Sequence, residues 1–125
     1  MKTLRHVRMF KPQFAPAVAA GTKRCTIRPT PKRAINAGDV LDAREWTGRP
    51  YNSKQNRLRE AVIERVTPIT IEASFCVILG GKNLTYEKIT RLARADGFEG
   101  FAGIMEFFQT EHGLPFTGVL IEWAP

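Results

Sequence analysis

The sequence predicts an α+β domain built as a mixed β-barrel with two or three flanking helices. Strand-like alternation of apolar and polar residues dominates the first two thirds of the chain, two helical patterns follow, and an apolar strand closes it. Neither an internal repeat nor a low-complexity linker divides the 125 residues. The length and the pattern therefore indicate a single domain over residues 1–125.

The chain opens with a candidate strand and a short helix. Residues 1–10 alternate loosely between apolar and polar positions, which is typical of a strand. Residues 11–20 favour a helix that ends at Gly21, because glycine commonly follows the last helical residue. Pro12 and Pro16 keep this helix short, since proline is tolerated only in a first helical turn.

Four further strands are predicted in the middle of the chain. Residues 23–28 form the first, and residues 40–46 form the second after a Gly-Asp turn. The segment 47–55 then reads as a polar loop, because turn formers dominate it. Residues 58–66 and 69–79 are predicted as two strands that meet near a proline, Pro68, because proline interrupts a strand ladder.

Two helices and a last strand complete the prediction. Thr85 is placed to cap a helix over residues 86–95, whose apolar residues recur at helical spacing. A second helix over residues 100–112 carries a phenylalanine-rich face and stops at a glycine. Residues 117–123 form the closing strand.

The net charge of +7 is concentrated in one half of the chain. The first 59 residues hold 14 lysines and arginines against three acidic residues, whereas the remaining 66 hold five against nine. A basic surface that also carries aromatic rings attracts phosphates and can stack bases, which favours RNA or a nucleotide as the partner. The alternative is a set of solvated cations that aid solubility.

Composition also limits the other classes. No apolar run approaches the roughly 20 residues that a membrane helix needs, and the first ten residues lack the apolar core of a secretory signal. We therefore expect a cytoplasmic protein that does not bind membranes, and we expect a monomer. Two cysteines and two histidines without metal-ligand spacing predict no metal site.

Several spaced segments together resemble the ASCH family, whose small domains are related to the PUA fold. The segments that carry the resemblance are Phe14 to Gly21, the strand Gly-Thr-Lys-Arg-Cys-Thr-Ile-Arg over residues 21–28, Gly38-Asp39-Val40, residues 95–98, Phe107-Phe108 and residues 119–123. They cover nearly the whole chain. The resemblance implies a PUA-like β-barrel whose cleft binds RNA or a modified nucleoside.

One bacterial branch of that family is an amidohydrolase of N4-acetylcytidine that uses a lysine, a threonine three residues later and an acidic residue from the helical region. Lys23 and Thr26 match the first two positions. Asp96 lies near the third, with Glu99 as the competing assignment. The resemblance thus implies an alternative function, hydrolysis of an acylated nucleoside without a metal or a cofactor.

Amide hydrolysis needs a nucleophile, a proton carrier and a positive group beside the developing oxyanion. Thr26 can supply the hydroxyl, and Lys23 can act either as a base, if neighbouring cations lower its pKa, or as the charged oxyanion partner. In a regular strand these two side chains point to opposite faces. We therefore expect Lys23 to lie in the turn after Gly21, while Thr26 and Arg28 share the site face.

The predicted ligand-binding residues are Arg24, Arg28, Glu45, Trp46 and Tyr51. Each has a structural alternative. Arg28 can pair with Glu45 or Asp42 on a neighbouring strand, and the two rings can close the barrel rather than stack a base. Ribonuclease activity ranks below binding and amide hydrolysis, because the sequence suggests no histidine pair.

Overall fold

The computed structural model describes residues 2–125 and has an α+β architecture. Within those residues seven strands and three helices follow one another in the order β1 (Arg5–Met9), α1 (Ala15–Ala20), β2 (Cys25–Pro29), β3 (Val40–Trp46), β4 (Gln55–Ile71), β5 (Val77–Leu79), β6 (Lys82–Asn83), α2 (Tyr86–Ala95), α3 (Phe101–Glu111) and β7 (Phe116–Trp123). The same part of the chain contains no helix with the length and apolar character needed to cross a membrane.

The long strand β4 joins the two parts of a mixed seven-stranded sheet. Its first half pairs antiparallel with β3, which in turn pairs parallel with β1. Its second half pairs with β7 and β5, and β7 also pairs with β2. The register of β4 against β7 shifts between Ile63 and Arg65, where the strand passes from one part of the sheet to the other.

The strand path is open in the residues that the structure describes, so a closed barrel is not confirmed. The path β1-β3-β4-β7-β2 nevertheless brings its first and last strands close together. Arg28 of β2 donates from Nη2 to the carbonyl oxygen of Met9 in β1 at 2.8 Å. The Arg28 side chain, rather than a ladder of backbone hydrogen bonds, therefore links these two strands.

The predicted break at Pro68 is wrong, because β4 continues through this residue. Proline lacks only the amide hydrogen, and its carbonyl oxygen still accepts a bond from the Gly80 amide at 2.9 Å. Strand β5 pairs with β4 only from Ile69 onward. The break lies instead in the turn over residues 72–76, which makes β5 a separate strand of three residues.

The helices follow the predicted signals closely. Helix α1 is shorter than predicted, since Lys11 to Phe14 form a turn before it, but it ends at Gly21 with a left-handed φ of 83°. Thr85 caps α2, and its side chain accepts a bond from the Lys88 amide at 3.2 Å. Helix α2 ends at Ala95, so Asp96 follows its last turn.

Two hydrophobic clusters form the core on the two parts of the sheet. One lies under α2 and α3 and includes Ile89, Ile104 and Phe108. The other lies under α1 and includes Val18 and Trp123. Two phenylalanines, Phe98 and Phe107, pack against both clusters. The seam between the clusters is where the candidate site lies.

Replacing the capping residue tests the anchoring of α2. We expect Thr85→Ala to lower the free energy of unfolding by about 1 kcal/mol, because the Lys88 amide loses its acceptor. Urea denaturation measures the change. The control is Thr90→Ala in the same helix, which we expect to stay within about 0.5 kcal/mol of wild type since alanine favours helix interiors. An unchanged stability of Thr85→Ala would contradict the role of the cap.

Candidate functional site

A cavity of about 220 Å³ lies between β1 and β2 on one side and the segment after α2 and the carboxyl-terminal end of α3 on the other. Its polar lining consists chiefly of Lys23, Thr26, Arg28 and Asp96. Its apolar walls are mostly aromatic and come from Phe10, Phe14, Phe98, Phe107 and Phe108. The cavity therefore combines ring faces with a small group of charged and hydroxyl side chains, which is the usual make-up of a ligand pocket.

Lys23 is buried in the turn between α1 and β2, as predicted. The left-handed Gly21 starts this turn, and the Lys23 amide bonds to the Ala17 carbonyl at 3.1 Å. The ammonium group donates to the carbonyl oxygens of Cys25 at 2.7 Å and of Asp96 at 2.6 Å, and to the Asp96 carboxylate. All three ammonium hydrogens thus have an acceptor, which is what a buried lysine requires.

Asp96 is buried directly after α2, where its amide bonds to the Leu92 carbonyl at 2.9 Å. Burial raises the pKa of its carboxyl group, and the charges of Lys23 and Arg28 oppose that rise. Gly97 follows with a φ of 101°, and a Cβ atom there would lie 2.8 Å from the Phe14 ring. The chain can therefore turn sharply after Asp96, whose carbonyl oxygen and carboxyl group both face Lys23.

Thr26 and Arg28 share one face of β2, again as predicted. The Thr26 hydroxyl oxygen is buried and accepts a bond from Arg28 Nε at 3.0 Å. The Arg28 guanidinium lies over the Phe10 ring, 4.6 Å from its centroid. These contacts fix the hydroxyl and the guanidinium side by side in the cavity.

Arg28 lacks a carboxylate partner among residues 2–125, which corrects its predicted pairing with Asp42 or Glu45. Asp42 pairs with Arg5, Arg44 and Arg57 instead, on the other side of the sheet. Burial, followed by the nearby charge of Arg8, lowers the pKa of Arg28 to about 10. The charge of Asp96 acts on Arg28, but the two groups form no ion pair, so the guanidinium keeps N–H groups with which to bind an anion or a polarised oxygen.

Five other predicted residues lie outside the cavity. Arg24 precedes β2 and its side chain is exposed, while its backbone carbonyl oxygen accepts a hydrogen bond from the Trp123 amide. Glu99 is also exposed, whereas Asp96 lines the cavity together with a second acidic residue, Glu111, which pairs with Lys11. Glu45 accepts a bond from Asn56 Nδ2 at 3.0 Å on a different surface. Tyr51, with Trp46, lines a separate neighbouring groove.

Sequence reasoning missed the aromatic walls and one histidine. Phe14 and Phe107 were expected only as core residues, because a cavity wall and a core position have the same pattern in a sequence. His112 lines the cavity while its ring stacks on Phe108 with centroids 5.4 Å apart. Its position one residue before Gly113 resembles an ordinary helix end, so the sequence carried no signal for it.

Comparisons of the chain with protein-family models, curated proteins and solved structures gave no match. No group of three histidine, cysteine or acidic side chains in residues 2–125 is arranged to hold a metal ion.

Removing the lysine tests the buried ion pair. We expect Lys23→Met to lower the free energy of unfolding at pH 7 by about 3–5 kcal/mol, because the Asp96 carboxylate is left buried without a partner. The pKa of Asp96 should then rise further in the folded state. A group whose pKa is raised in the folded state destabilises the protein increasingly as the pH rises. The loss of unfolding free energy in Lys23→Met should therefore be smaller at pH 4 than at pH 8.

Urea denaturation of wild type and variant across this pH range measures both effects. Exposed Lys82 provides the matched control, since Lys82→Met should change stability by less than about 0.5 kcal/mol. Adding Asp96→Leu to Lys23→Met should recover much of the loss, because it removes the unpaired charge. A deficit that does not depend on pH would show that Lys23 contributes only packing.

Proposed function

We propose that this protein is a PUA-like domain of the ASCH type that binds RNA or a nucleotide by holding one base in the cavity between β1 and β2. The observation that carries the proposal is the juxtaposition of aromatic walls with Arg28, a partly buried cation that forms no ion pair among the described residues. Phenylalanine faces accept a flat base, and a guanidinium accepts a phosphate or a carbonyl oxygen. The close approach of β1 and β2 supports the barrel-like arrangement.

The size of the cavity favours a single base over a larger ligand. Its volume of about 220 Å³ is below the roughly 300–1,000 Å³ of pockets for drug-sized molecules. The Thr26 hydroxyl and the Asp96 carboxyl supply hydrogen-bonding groups at its polar end. Such groups can read the polar edge of a base while the rings hold its faces.

The charges around the cavity support a phosphate-bearing ligand. Arg8, on β1, is partly buried, and this burial together with the charge of Arg33 lowers its pKa. The Arg8 guanidinium makes a hydrogen bond to the Val7 carbonyl and forms no ion pair within residues 2–125. Arg8 does not line the cavity, but its charge helps to lower the pKa of Arg28, so both guanidinium groups add to the positive potential near the cavity.

The proposal predicts binding of cytidine 5′-monophosphate that depends on Arg28. We expect Arg28→Gln to weaken binding at least tenfold, because the phosphate or base oxygen loses its charged partner. Calorimetric titration at low salt measures the affinity. The exposed neighbour Arg24 gives the matched control, since Arg24→Gln removes the same charge outside the cavity.

The salt dependence of RNA binding gives a second readout of the same proposal. Affinity for a short single-stranded RNA should fall as the salt concentration rises, since phosphate contacts release counterions. Absence of binding to every nucleotide and RNA tested at low salt would overturn the proposal.

A second candidate function, hydrolysis of an acylated nucleoside such as N4-acetylcytidine, is favoured by the presence of Lys23, Thr26 and Asp96 in one cavity. Thr26 would attack the acyl carbon and pass its proton to Asp96, whose raised pKa suits a proton carrier. Arg28, bonded to the Thr26 oxygen, would stabilise the oxyanion. Asp96 would then protonate the leaving amine, and water would hydrolyse the threonyl ester.

In this scheme Lys23 holds Asp96 in place and keeps its charge. Its three ammonium hydrogens are already donated to two carbonyl oxygens and the carboxylate, so it has no lone pair with which to act as a base. Ribonuclease activity stays the lowest-ranked alternative. Of the two histidines only His112 lines the cavity, since His6 pairs with Asp39 elsewhere at 2.8 Å.

Incubation with N4-acetylcytidine separates hydrolysis from simple binding. If the protein is a hydrolase, chromatography will show cytidine and acetate, and Thr26→Val will abolish turnover while Thr26→Ser retains part of it. Exposed Thr22 offers a control, because Thr22→Val removes a hydroxyl outside the cavity. Turnover that survives Thr26→Val would exclude the nucleophile, and binding without turnover would leave only the first function.

A further inference from the structure

A second groove, of about 320 Å³, adjoins the cavity on the side of β1. Its lining residues are Met9, Phe10, Lys11, Pro12, Trp46, Gly48, Pro50 and Tyr51. Met9, Phe10 and Lys11 line both this groove and the cavity. The two spaces are therefore neighbours that share one wall, and a chain molecule seated in the first can extend into the second.

The outer wall of the groove is an aromatic pair formed by half-buried Trp46, at the end of β3, and exposed Tyr51, on the loop between β3 and β4. The rings of Trp46 and Tyr51 lie with centroids 5.2 Å apart. Tyr51 is 87% exposed, so it does not close the sheet, which was the structural alternative for this residue. The exposed Tyr51 ring and the part of Trp46 that reaches the surface provide faces at the edge of the groove on which a base can stack.

The backbone of this loop holds Tyr51 in an unfavourable conformation. Its φ of 64° lies in the left-handed region, which residues other than glycine rarely adopt. Hydrogen bonds inside the loop fix this shape: the Thr47 amide donates to Lys54 at 2.8 Å, and the Gly48 amide donates to Ser53 Oγ at 3.0 Å. An exposed ring held in a strained position by its own loop is a feature that clusters at binding sites.

The charge of the loop and of the groove wall indicates the kind of occupant. Residues 47–54 contain Arg49 and Lys54 and no acidic residue, and Lys11 lines the groove itself. Aromatic faces interleaved with lysines and arginines are the features with which proteins bind single-stranded nucleic acid. This composition favours a phosphate backbone over an apolar peptide.

We infer that the groove bounded by Trp46 and Tyr51 is a second base site, which stacks the nucleotide adjacent to the one held in the cavity. The inference rests on the proposed nucleotide binding and makes single-stranded RNA, rather than a free nucleoside or mononucleotide, the preferred ligand. One base enters the cavity beside Arg28, and the next base passes over the shared Phe10 wall to the two rings.

Dinucleotides with and without the base next to cytosine test this inference. The probes are the RNA dinucleotides CpA and ApC, each compared with a counterpart that has an abasic ribose in place of adenosine. The counterpart keeps the charge and lacks the stacking surface. We expect the wild-type protein to bind at least one adenine-containing dinucleotide about tenfold more tightly than its abasic counterpart. Cytidine 5′-monophosphate reports on the cavity alone.

The variants Trp46→Ala and Tyr51→Ala should abolish the preference for the complete dinucleotide and leave the affinity for cytidine 5′-monophosphate unchanged. Tyr86→Ala is the matched control, because Tyr86 is also an exposed tyrosine but lies on α2 away from the groove. Tyr51→Ala changes an exposed side chain, so it keeps the test valid if Trp46→Ala fails to fold.

The outcomes separate the two proposals. Binding of the mononucleotide with equal affinities for complete and abasic dinucleotides would overturn the second site and leave the proposed function standing. A preference that survives both variants would also overturn it. Failure of the mononucleotide and of all dinucleotides to bind at low salt would overturn both.

Discussion

The buried ammonium group of Lys23 is the constraint on which the candidate site depends. It joins the beginning of β2 to the end of α2 through two carbonyl oxygens and one carboxylate. Such a charge is costly to bury unless each hydrogen finds an acceptor, so this bonding fixes how α2 sits against the sheet. That position brings the Asp96 carboxyl into the cavity that Thr26 and Arg28 line. The aromatic walls surround these polar groups.

The arginines of the basic half differ in how far their charge is compensated. Asp42 is fully buried and pairs with three arginines, which hold the pKa of its carboxyl group down to about 2. Arg28 and Arg8, near the cavity, form no ion pair within residues 2–125. The net charge of +7 is therefore a poor guide by itself, because the attraction for an anion is concentrated where cations lack partners.

Local signals in the sequence predicted helix ends and turns better than they predicted contacts between residues far apart in the chain. The Thr85 cap, the glycine end of α1 and the turn at Lys23 follow from neighbouring residues, and the structure confirms them. The continuity of β4 through Pro68 and the missing partner of Arg28 depend on contacts with residues far along the chain. The pairing of Lys23 with Asp96 spans 73 residues, and a family resemblance rather than periodicity pointed to it. Sequence could not distinguish Asp96 from Glu99, because only packing decides which carboxylate is buried.

A nuclear magnetic resonance titration of isotope-labelled protein with cytidine 5′-monophosphate tests the location of the site most directly. Chemical-shift changes should be largest at the amides of Thr26, Arg28 and Asp96 and at the ring protons of the phenylalanines that wall the cavity. The Lys23 ammonium protons should also exchange more slowly with water, because the bound ligand closes the cavity. Changes confined to exposed arginines of the outer sheet surface, with these groups unaffected, would contradict the account.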